Sequence, residues 1–274
     1  MPKEIVCNFC GNKENILYQK SKPPYNVVKC TKCGLVYTNP QPDLDFLEEH
    51  YNKEYYDKWI KEQFVSRQSL WKKRLRMILK YKNCGNLLDV GCGVGTFLYY
   101  AKENGFNVYG TEVSEYAVKF IYEKYNIKVE KKLFNQINFE NDFFDVITFW
   151  HSLEHVKDPY GDICHAYNIL KNNGLLVIAC PNLNNYLMRI AYRILKRKEL
   201  LLFTPDAKEQ HLFHFSENVL KNIIKKAGFK VIKIKPDLSK IELSKKIIDI
   251  LTALIYLITR KNYGDAFIII AKKP

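Results

Sequence analysis

The spacing of hydrophobic residues changes near residue 86. From there, short apolar runs alternate with segments of helical spacing, which is typical of a parallel sheet whose strands are connected by helices. The pattern predicts an α/β domain with strands at 86–90, 107–112, 128–134, 144–150, 174–180, 229–235 and 266–271. It predicts helices at 96–104, 114–125, 159–170 and 216–226.

The chain before this domain follows other patterns. Residues 1–40 indicate short strands around two cysteine pairs, and residues 41–83 a helical linker. We expect the α/β domain to occupy residues 84–274. Within it, 184–215 is predicted to be a lid insertion and 240–262 a C-terminal helical segment.

Four of the eight cysteines have the spacing of a metal site. Cys7 and Cys10 form one C-x-x-C pair, and Cys30 and Cys33 form a second pair after 19 intervening residues. Two such turns complete a sulfur tetrahedron around Zn²⁺, so the spacing predicts a zinc ribbon with a closed structural site. A disulfide framework is the alternative, but it belongs to oxidising compartments, and no signal peptide is predicted. We therefore expect a cytoplasmic protein.

The net charge of +14 is concentrated in the flanks of the chain. Residues 182–274 contain 19 basic and 8 acidic residues, whereas residues 81–181 are slightly acidic. A basic flank favours an anionic partner, such as nucleic acid, a membrane surface or a phosphorylated substrate, although lysines also simply solubilise surfaces. Residues 184–203 have helical spacing with separate apolar and basic faces. This segment is predicted to be a lid over the acceptor or a peripheral membrane contact.

A glycine-rich turn carries the clearest sign of function. It follows the first strand of the domain, and its glycines are Gly91, Gly93 and Gly95. This G-x-G-x-G spacing departs from the dinucleotide fingerprint G-x-G-x-x-G. Glu112 ends the second strand, where a carboxylate can accept both ribose hydroxyls of an adenosine ligand.

Together, these motifs resemble a class I S-adenosylmethionine-dependent methyltransferase. The resemblance rests on the turn at 89–95, Glu112, the run at 144–147 and the strand at 174–180. It implies a Rossmann-like sheet of seven strands whose last two are antiparallel. The cysteine module, residues 51–57 and residues 210–216 further resemble methyltransferases that act on small molecules, sugars and surface glycans.

The resemblance also implies roles for individual residues. Asp89 and the three glycines would hold the methionine end of S-adenosylmethionine, and Glu112 would hold the ribose. Leu133 or Phe134 would flank adenine, although both are equally plausible as core residues. Trp150 and His151 would touch the methionyl or sulfonium side.

Two histidines are candidates for the general base of methyl transfer. His155 follows the fourth strand, and His211 matches a histidine that some sugar methyltransferases use as base. His211 is predicted to act as the base, and His155 to orient the acceptor or share the proton. Alternatively, His155 could cap or orient the loop, and His211 could merely hydrogen-bond it. Relatives often carry an acidic residue where Gln210 stands here.

These observations predict methyl transfer to a hydroxyl of a small molecule, sugar nucleotide or glycan, possibly phosphorylated. An RNA methyltransferase that grips RNA with the ribbon and the basic flank is the alternative. The base-amino methylation motif is absent, however, because Cys180-Pro181-Asn182 follows the fifth strand, so nucleic acid is disfavoured. A non-enzymatic zinc-ribbon interaction protein is a third interpretation, which the intact glycine turn disfavours.

Overall fold

The N-terminal part of the chain forms a small antiparallel sheet. The computed structural model describes residues 2–43, 53–207, 209–238 and 243–274. Three strands of this sheet come from the cysteine module: β1 (Asn15–Lys20), β2 (Asn26–Cys30) and β3 (Val36–Asn39). The fourth strand comes from far along the chain, and its position is described below.

The central sheet has the mixed architecture that the sequence predicts. Its strands are β4 (Gly85–Val90), β5 (Phe106–Thr111), β6 (Phe144–Trp150), β7 (Leu170–Pro181), β9 (Lys230–Pro236) and β10 (Ala266–Lys272). They are ordered β5-β4-β6-β7-β10-β9. The first four are parallel, and β10 is antiparallel to both β7 and β9. The Rossmann-like α/β fold with an antiparallel final pair is therefore confirmed.

The prediction of a third strand at residues 128–134 is wrong. Residues 128–134 contribute only an isolated bridge between Thr111 and Glu130, so the described central sheet has six strands rather than seven. The physical reason is composition. Of residues 128–132, only Val129 is partly buried, while Lys131 and Lys132 face solvent, so the segment lacks an apolar face to pack on the domain. The chain then turns into a short 3₁₀ helix, Phe134–Gln136.

Helices cover the central sheet and end close to where the periodicity predicts. They are α1 (Lys53–Ile78), α2 (Thr96–Glu103), α3 (Glu115–Tyr125), α4 (Pro159–Ile169), α5 (Tyr186–Lys196), α6 (Glu217–Lys226) and α7 (Leu243–Thr259). The side chain of Ser114 accepts a hydrogen bond from the Ala117 amide at the start of α3. Ser216 does the same for Val219 at the start of α6. Both serines are N-caps that fix where these helices begin.

The cysteine module is joined to the α/β domain by backbone pairing. Strand β8 (Phe213–His214) pairs antiparallel with β3, placing Val36 opposite His214 and Tyr37 opposite Phe213. The amide of Thr38 also donates to the carbonyl of Leu212. The segment that ends the predicted lid insertion is thus the fourth strand of the N-terminal sheet.

The insertion at 184–215 is only partly helical. Helix α5 occupies its first third and buries none of its side chains, and the chain then reaches β8 through irregular structure. Among the described residues, no helix is both long and apolar enough to cross a membrane.

Candidate active site

The glycine turn between β4 and α2 has the backbone that its sequence requires. Gly91, Gly93 and Gly95 all have positive φ angles, which side chains with a Cβ rarely adopt. A Cβ on Gly91 would lie 2.8 Å from the Cβ of Ser152, and one on Gly95 would lie 2.8 Å from Ile121. Gly91 therefore lets the turn approach the loop after β6, and Gly95 lets α2 pack on α3.

Glu112 is tied to this turn by its carboxylate. Its side chain is nearly fully buried, with Oε2 accepting from the Gly93 amide at 2.9 Å. Its Oε1 accepts from the amides of Val113 at 2.9 Å and Ser114 at 3.0 Å. Burial raises the pKa of Glu112, and the three amides oppose that rise because they stabilise the ionised form.

Asp89 is the second buried acid beside the turn. Its Oδ1 accepts from the Thr148 hydroxyl at 2.7 Å, which fixes the carboxyl group against β6. Burial raises the pKa of Asp89 to about 7, partly offset by that hydrogen bond and by the charge of Arg74. A carboxyl group with a pKa of about 7 is only partly ionised at neutral pH, and a cation that binds beside it favours the ionised form.

These groups line a cavity of about 290 Å³ at the carboxyl ends of the parallel strands. This edge is where ligands bind in open α/β sheets. Nine of the residues predicted to form the site line the cavity: Asp89, Gly91, Gly93, Glu112, Leu133, Phe134, Trp150, His151 and His155. Gly95 and His211 do not line it. Gly95 instead has the packing position described above.

Four ionisable residues form a network beside the cavity, and two of them, Arg74 and His151, line it. Arg74 Nη2 lies 2.6 Å from Asp237 Oδ2, and both side chains are buried. His151 lies between two acids, with Nε2 3.5 Å from Asp237 and Nδ1 3.6 Å from Glu154. Burial lowers the pKa of His151, but its interactions with the carboxylates of Asp237 and Glu154 outweigh burial and raise the pKa to about 9. His151 is therefore a cation at neutral pH, which suits a ligand carboxylate better than a sulfonium.

The two candidate bases lie side by side. The rings of His155 and His211 are 4.9 Å apart, with His155 at the cavity wall and His211 behind it. Nδ1 of His155 lies 2.8 Å from the carbonyl oxygen of Gln210. Because a carbonyl can only accept, Nδ1 of neutral His155 carries the hydrogen and Nε2 is the basic nitrogen. Burial, followed by repulsion from His155, lowers the pKa of His211 to about 4, so that His211 is neutral at pH 7.

Glu209 is an acidic neighbour of His211. It lies one residue before Gln210, the position at which relatives often carry an acidic residue. Glu209 Oε2 lies 4.0 Å from His211 Nε2, whereas Gln210 donates its side-chain amide to the carbonyl of Pro205. Ligand atoms of Glu154, His155 and His211 also lie within 4.8 Å of one another. Two imidazoles and a carboxylate at this separation can hold a divalent cation.

The four N-terminal cysteines come together as their spacing predicts. All four are free thiols whose sulfur atoms lie within 4.8 Å of one another, with 3.5 Å between Cys7 and Cys33 and 3.6 Å between Cys10 and Cys30. Sulfur atoms of a disulfide would be about 2.05 Å apart. Those at the corners of a zinc tetrahedron would be about 3.8 Å apart, given Zn–S bonds of about 2.3 Å. The donor set and the spacing fit zinc.

Comparison with known proteins identifies the fold and the family. A family model described as a methyltransferase domain matches residues 51–234. This chain belongs to that family of S-adenosylmethionine-dependent methyltransferases. The ubiquinone biosynthesis O-methyltransferase of Colwellia psychrerythraea is 30% identical over 137 residues, which cover 46% of this chain and 52% of that protein. The matched part of the chain thus spans about half the length of this relative.

Solved methyltransferases share the architecture. An S-adenosylmethionine-dependent methyltransferase from Archaeoglobus fulgidus is 25% identical, with a TM-score of 0.54 over 80% of this chain and all of that one. Magnesium protoporphyrin IX methyltransferase from Synechocystis, solved with bound SAH, is 14% identical. Its TM-score is 0.58 over 84% of this chain and 99% of that one. The glycine turn, the buried Glu112 and the adjoining cavity fit S-adenosylmethionine as the methyltransferase's cofactor.

The methyltransferase cavity also uses residues that the sequence analysis missed. Helix α1, predicted as part of a linker, lines the wall with residues that include Arg67, Trp71 and Arg74. Their spacing of four and three residues places them on one helical face, so this stripe was visible in the sequence. Asp237 gave no such signal, because its partner Arg74 is 163 residues away.

Proposed function

We propose that this methyltransferase transfers the methyl group of S-adenosylmethionine to a hydroxyl of a small-molecule acceptor. The observation that carries the proposal is His155, whose ring borders the cavity beside the glycine turn with Nε2 as its basic nitrogen. A hydroxyl becomes a better nucleophile when a histidine takes its proton. The O-methyltransferase name of the ubiquinone relatives supports the same acceptor atom.

The proposed division of roles follows the positions in the cavity. When bound, S-adenosylmethionine supplies an electrophilic methyl group. The turn at 89–93 would hold its methionine end, Glu112 its ribose, and Leu133 or Phe134 its adenine. His151, as a cation, would face a carboxylate. His155 would take the acceptor proton, and His211 would adjoin it as a neutral imidazole.

The sequence analysis assigned the base to His211 first. That assignment stays a prediction, and the position of His211 outside the cavity wall leads us to place His155 at the acceptor. A sugar nucleotide or glycan remains a proposed acceptor class. Arg67 and Lys157 lie at the cavity, where they would attract phosphate groups on such a molecule.

The cysteine module has a structural part in the proposal. We propose that Cys7, Cys10, Cys30 and Cys33 bind one Zn²⁺, closed to water, which holds the ribbon together. Phe9 and Tyr25, two aromatic residues of the ribbon, give RNA binding no support. Phe9 packs edge-on against Tyr160 and Tyr25 packs against Phe203, so both rings are engaged with the methyltransferase domain rather than available to stack on bases.

The test is methyl transfer from labelled S-adenosylmethionine to a catechol, a sugar nucleotide and a lipid-linked glycan. With whichever acceptor is methylated, His155→Ala should lower turnover by about 10²–10⁴, the usual cost of losing a general base. S-adenosylmethionine affinity should stay within about twofold, because His155 lies outside the predicted cofactor contacts.

Parallel variants separate the two histidines. His155→Gln and His211→Gln keep polar side chains and serve as matched controls for loss of packing. If His211→Ala abolishes turnover while His155→Ala does not, His211 is the base. If neither variant lowers turnover at neutral pH, the acceptor needs no base and the hydroxyl proposal is wrong.

A further inference from the structure

Two amphipathic helices leave large apolar faces uncovered at one end of the molecule. Helix α7 exposes Ile247, Ile250, Leu251, Leu254, Leu257 and Ile258, which are between 44% and 84% exposed. Their spacing of three and four residues places all six on one face. A monomeric protein rarely exposes contiguous apolar surface of this kind unless it is an interaction site.

Helix α5 adds to the same surface. It exposes Tyr186, Ile190, Ile194 and Leu195, and none of its side chains is buried. It contacts α7, and the ring of Tyr186 lies 5.6 Å from that of Tyr263, which follows α7 in the chain. Of the described large hydrophobic residues that are exposed, more than half belong to these two helices. We call the exposed faces of α5 and α7 the apolar platform.

Basic residues flank the platform at the helix ends. Lys196, Arg197 and Lys198 follow the exposed face of α5, and all three are exposed. Lys246 lies near the start of α7, and Arg260 and Lys261 follow its end, again exposed. Within residues 186–199 and 246–261, the acidic residues are Glu199, which is exposed, and Asp249, which is half-buried. The platform therefore combines an apolar centre with a positive border.

The positive border decides which partner fits. A second copy of the chain would bring like charges together around the apolar centre, which opposes association. An anionic lipid surface presents acyl chains for the apolar side chains and phosphates for the lysines and arginines. We propose that the apolar platform docks the protein peripherally on an anionic bilayer.

The platform lies at the end of the molecule that also holds the cavity. Strand β7 ends at Pro181 just before α5, and β9 ends at Pro236 before α7. Both residues pair next to each other on β10, with Ala266 and Phe267, so the two strands end at the same edge of the sheet. That carboxyl edge also carries the glycine turn. Docking through the platform places the cavity near the bilayer, where a lipid-linked acceptor is available.

Vesicle flotation of the full chain tests the docking. The purified protein should float with equimolar phosphatidylcholine–phosphatidylglycerol vesicles, and binding should weaken with added salt and be lost on phosphatidylcholine alone. The paired changes Ile194→Ser with Leu195→Ser, or Leu257→Ser with Ile258→Ser, should lower the partition coefficient at least about tenfold. These side chains are exposed, so the variants should keep the wild-type melting temperature.

The ribbon offers a matched control. Ile16→Ser with Leu17→Ser removes two side chains that are 57% and 54% exposed on β1, outside the platform, and should leave flotation unchanged. Equal loss in this control, or no flotation of the wild type, would overturn the proposal. So would a salt-stable dimer in ultracentrifugation that the α5 or α7 variants convert to monomer. S-adenosylmethionine affinity, measured in the same samples, reports separately on the proposed catalytic function.

Discussion

The two walls of the cavity are built in opposite ways. The cofactor wall is local, since Asp89, the glycine turn and Glu112 fall within 24 consecutive residues and Glu112 accepts a hydrogen bond from the Gly93 amide. The histidine wall is assembled from distant segments. His155 bonds to the carbonyl of Gln210, 55 residues away, and both adjoin a strand that pairs with the N-terminal sheet.

Because of this difference, the zinc ribbon is connected to the histidine wall, on the acceptor side of the cavity. Thr38 Oγ1 lies 3.2 Å from the His211 carbonyl, and β3 pairs with Phe213 and His214 directly after it. The cofactor wall shares none of these contacts. Disturbing the ribbon should therefore act on catalysis through the histidines and leave cofactor binding largely intact.

Loss of zinc should have the largest effect. Cys30→Ser combined with Cys33→Ser should reduce bound zinc from one per chain to near zero, because structural zinc contributes on the order of 10 kcal/mol to the folding of such modules. Turnover should fall about 10²-fold or more, since a displacement of about 1 Å at a reacting group has that cost. Metal analysis, turnover and calorimetry of S-adenosylmethionine binding measure the three quantities.

Cys84→Ser is the matched control, because Cys84 is exposed and lies outside the ribbon. It should change neither zinc content nor turnover. If the double variant contains no zinc but keeps normal turnover, the ribbon does not position the histidine wall. A large loss of cofactor affinity would show that the two walls are not independent.

The same difference explains how far sequence reasoning reaches. Glycine spacing followed by a strand-terminal acid is a local signal, and Gly91, Gly93 and Glu112, the residues that it singles out, line the cavity. The strand expected at 128–134 fails because Val129 is the one apolar residue in 128–132 and cannot hold an edge strand in the sheet. Asp237 reaches His151, and Glu209 reaches His211, only through tertiary contacts, so no spacing rule finds them.

The free energy of unfolding should depend on pH through His211 and His214. Burial, followed by repulsion from neighbouring cations, lowers the pKa of His211 to about 4 and of His214 to about 3. The unfolded chain therefore binds protons at these positions below pH 6.5 that the folded chain does not. Stability should fall by on the order of a few kcal/mol as the pH drops from 6.5 toward 4.

His151 should act in the opposite direction. Its raised pKa, about 9, means that its stabilising effect is complete below pH 6.5 and disappears as the pH rises through 9. Denaturant unfolding across this range measures both limbs. His214→Asn should make the acid limb shallower, leaving the part due to His211, and His151→Asn should flatten the alkaline limb, so that each variant controls for the other. Identical profiles for both variants would contradict this assignment.

The smallest expected effect concerns the cofactor wall by itself. Glu112→Ala should weaken S-adenosylmethionine binding by at least about tenfold, because charge-assisted hydrogen bonds contribute about 1.5–3 kcal/mol each. The variant also leaves the amides of Gly93, Val113 and Ser114 without their acceptor, so the turn loses its anchor as well as its ribose contact.

Glu115→Ala is the matched control. Glu115 lies three residues later at the start of α3, is exposed, and pairs only with the exposed Lys119 and Lys131, pairs that contribute little. Calorimetry should give an unchanged dissociation constant for this control. Equal weakening in both variants would trace the loss to the helix rather than to the carboxylate. With Glu112→Ala, turnover at saturating cofactor should stay near the wild-type value, since Glu112 bonds to the amides of Gly93, Val113 and Ser114 and not to the histidines.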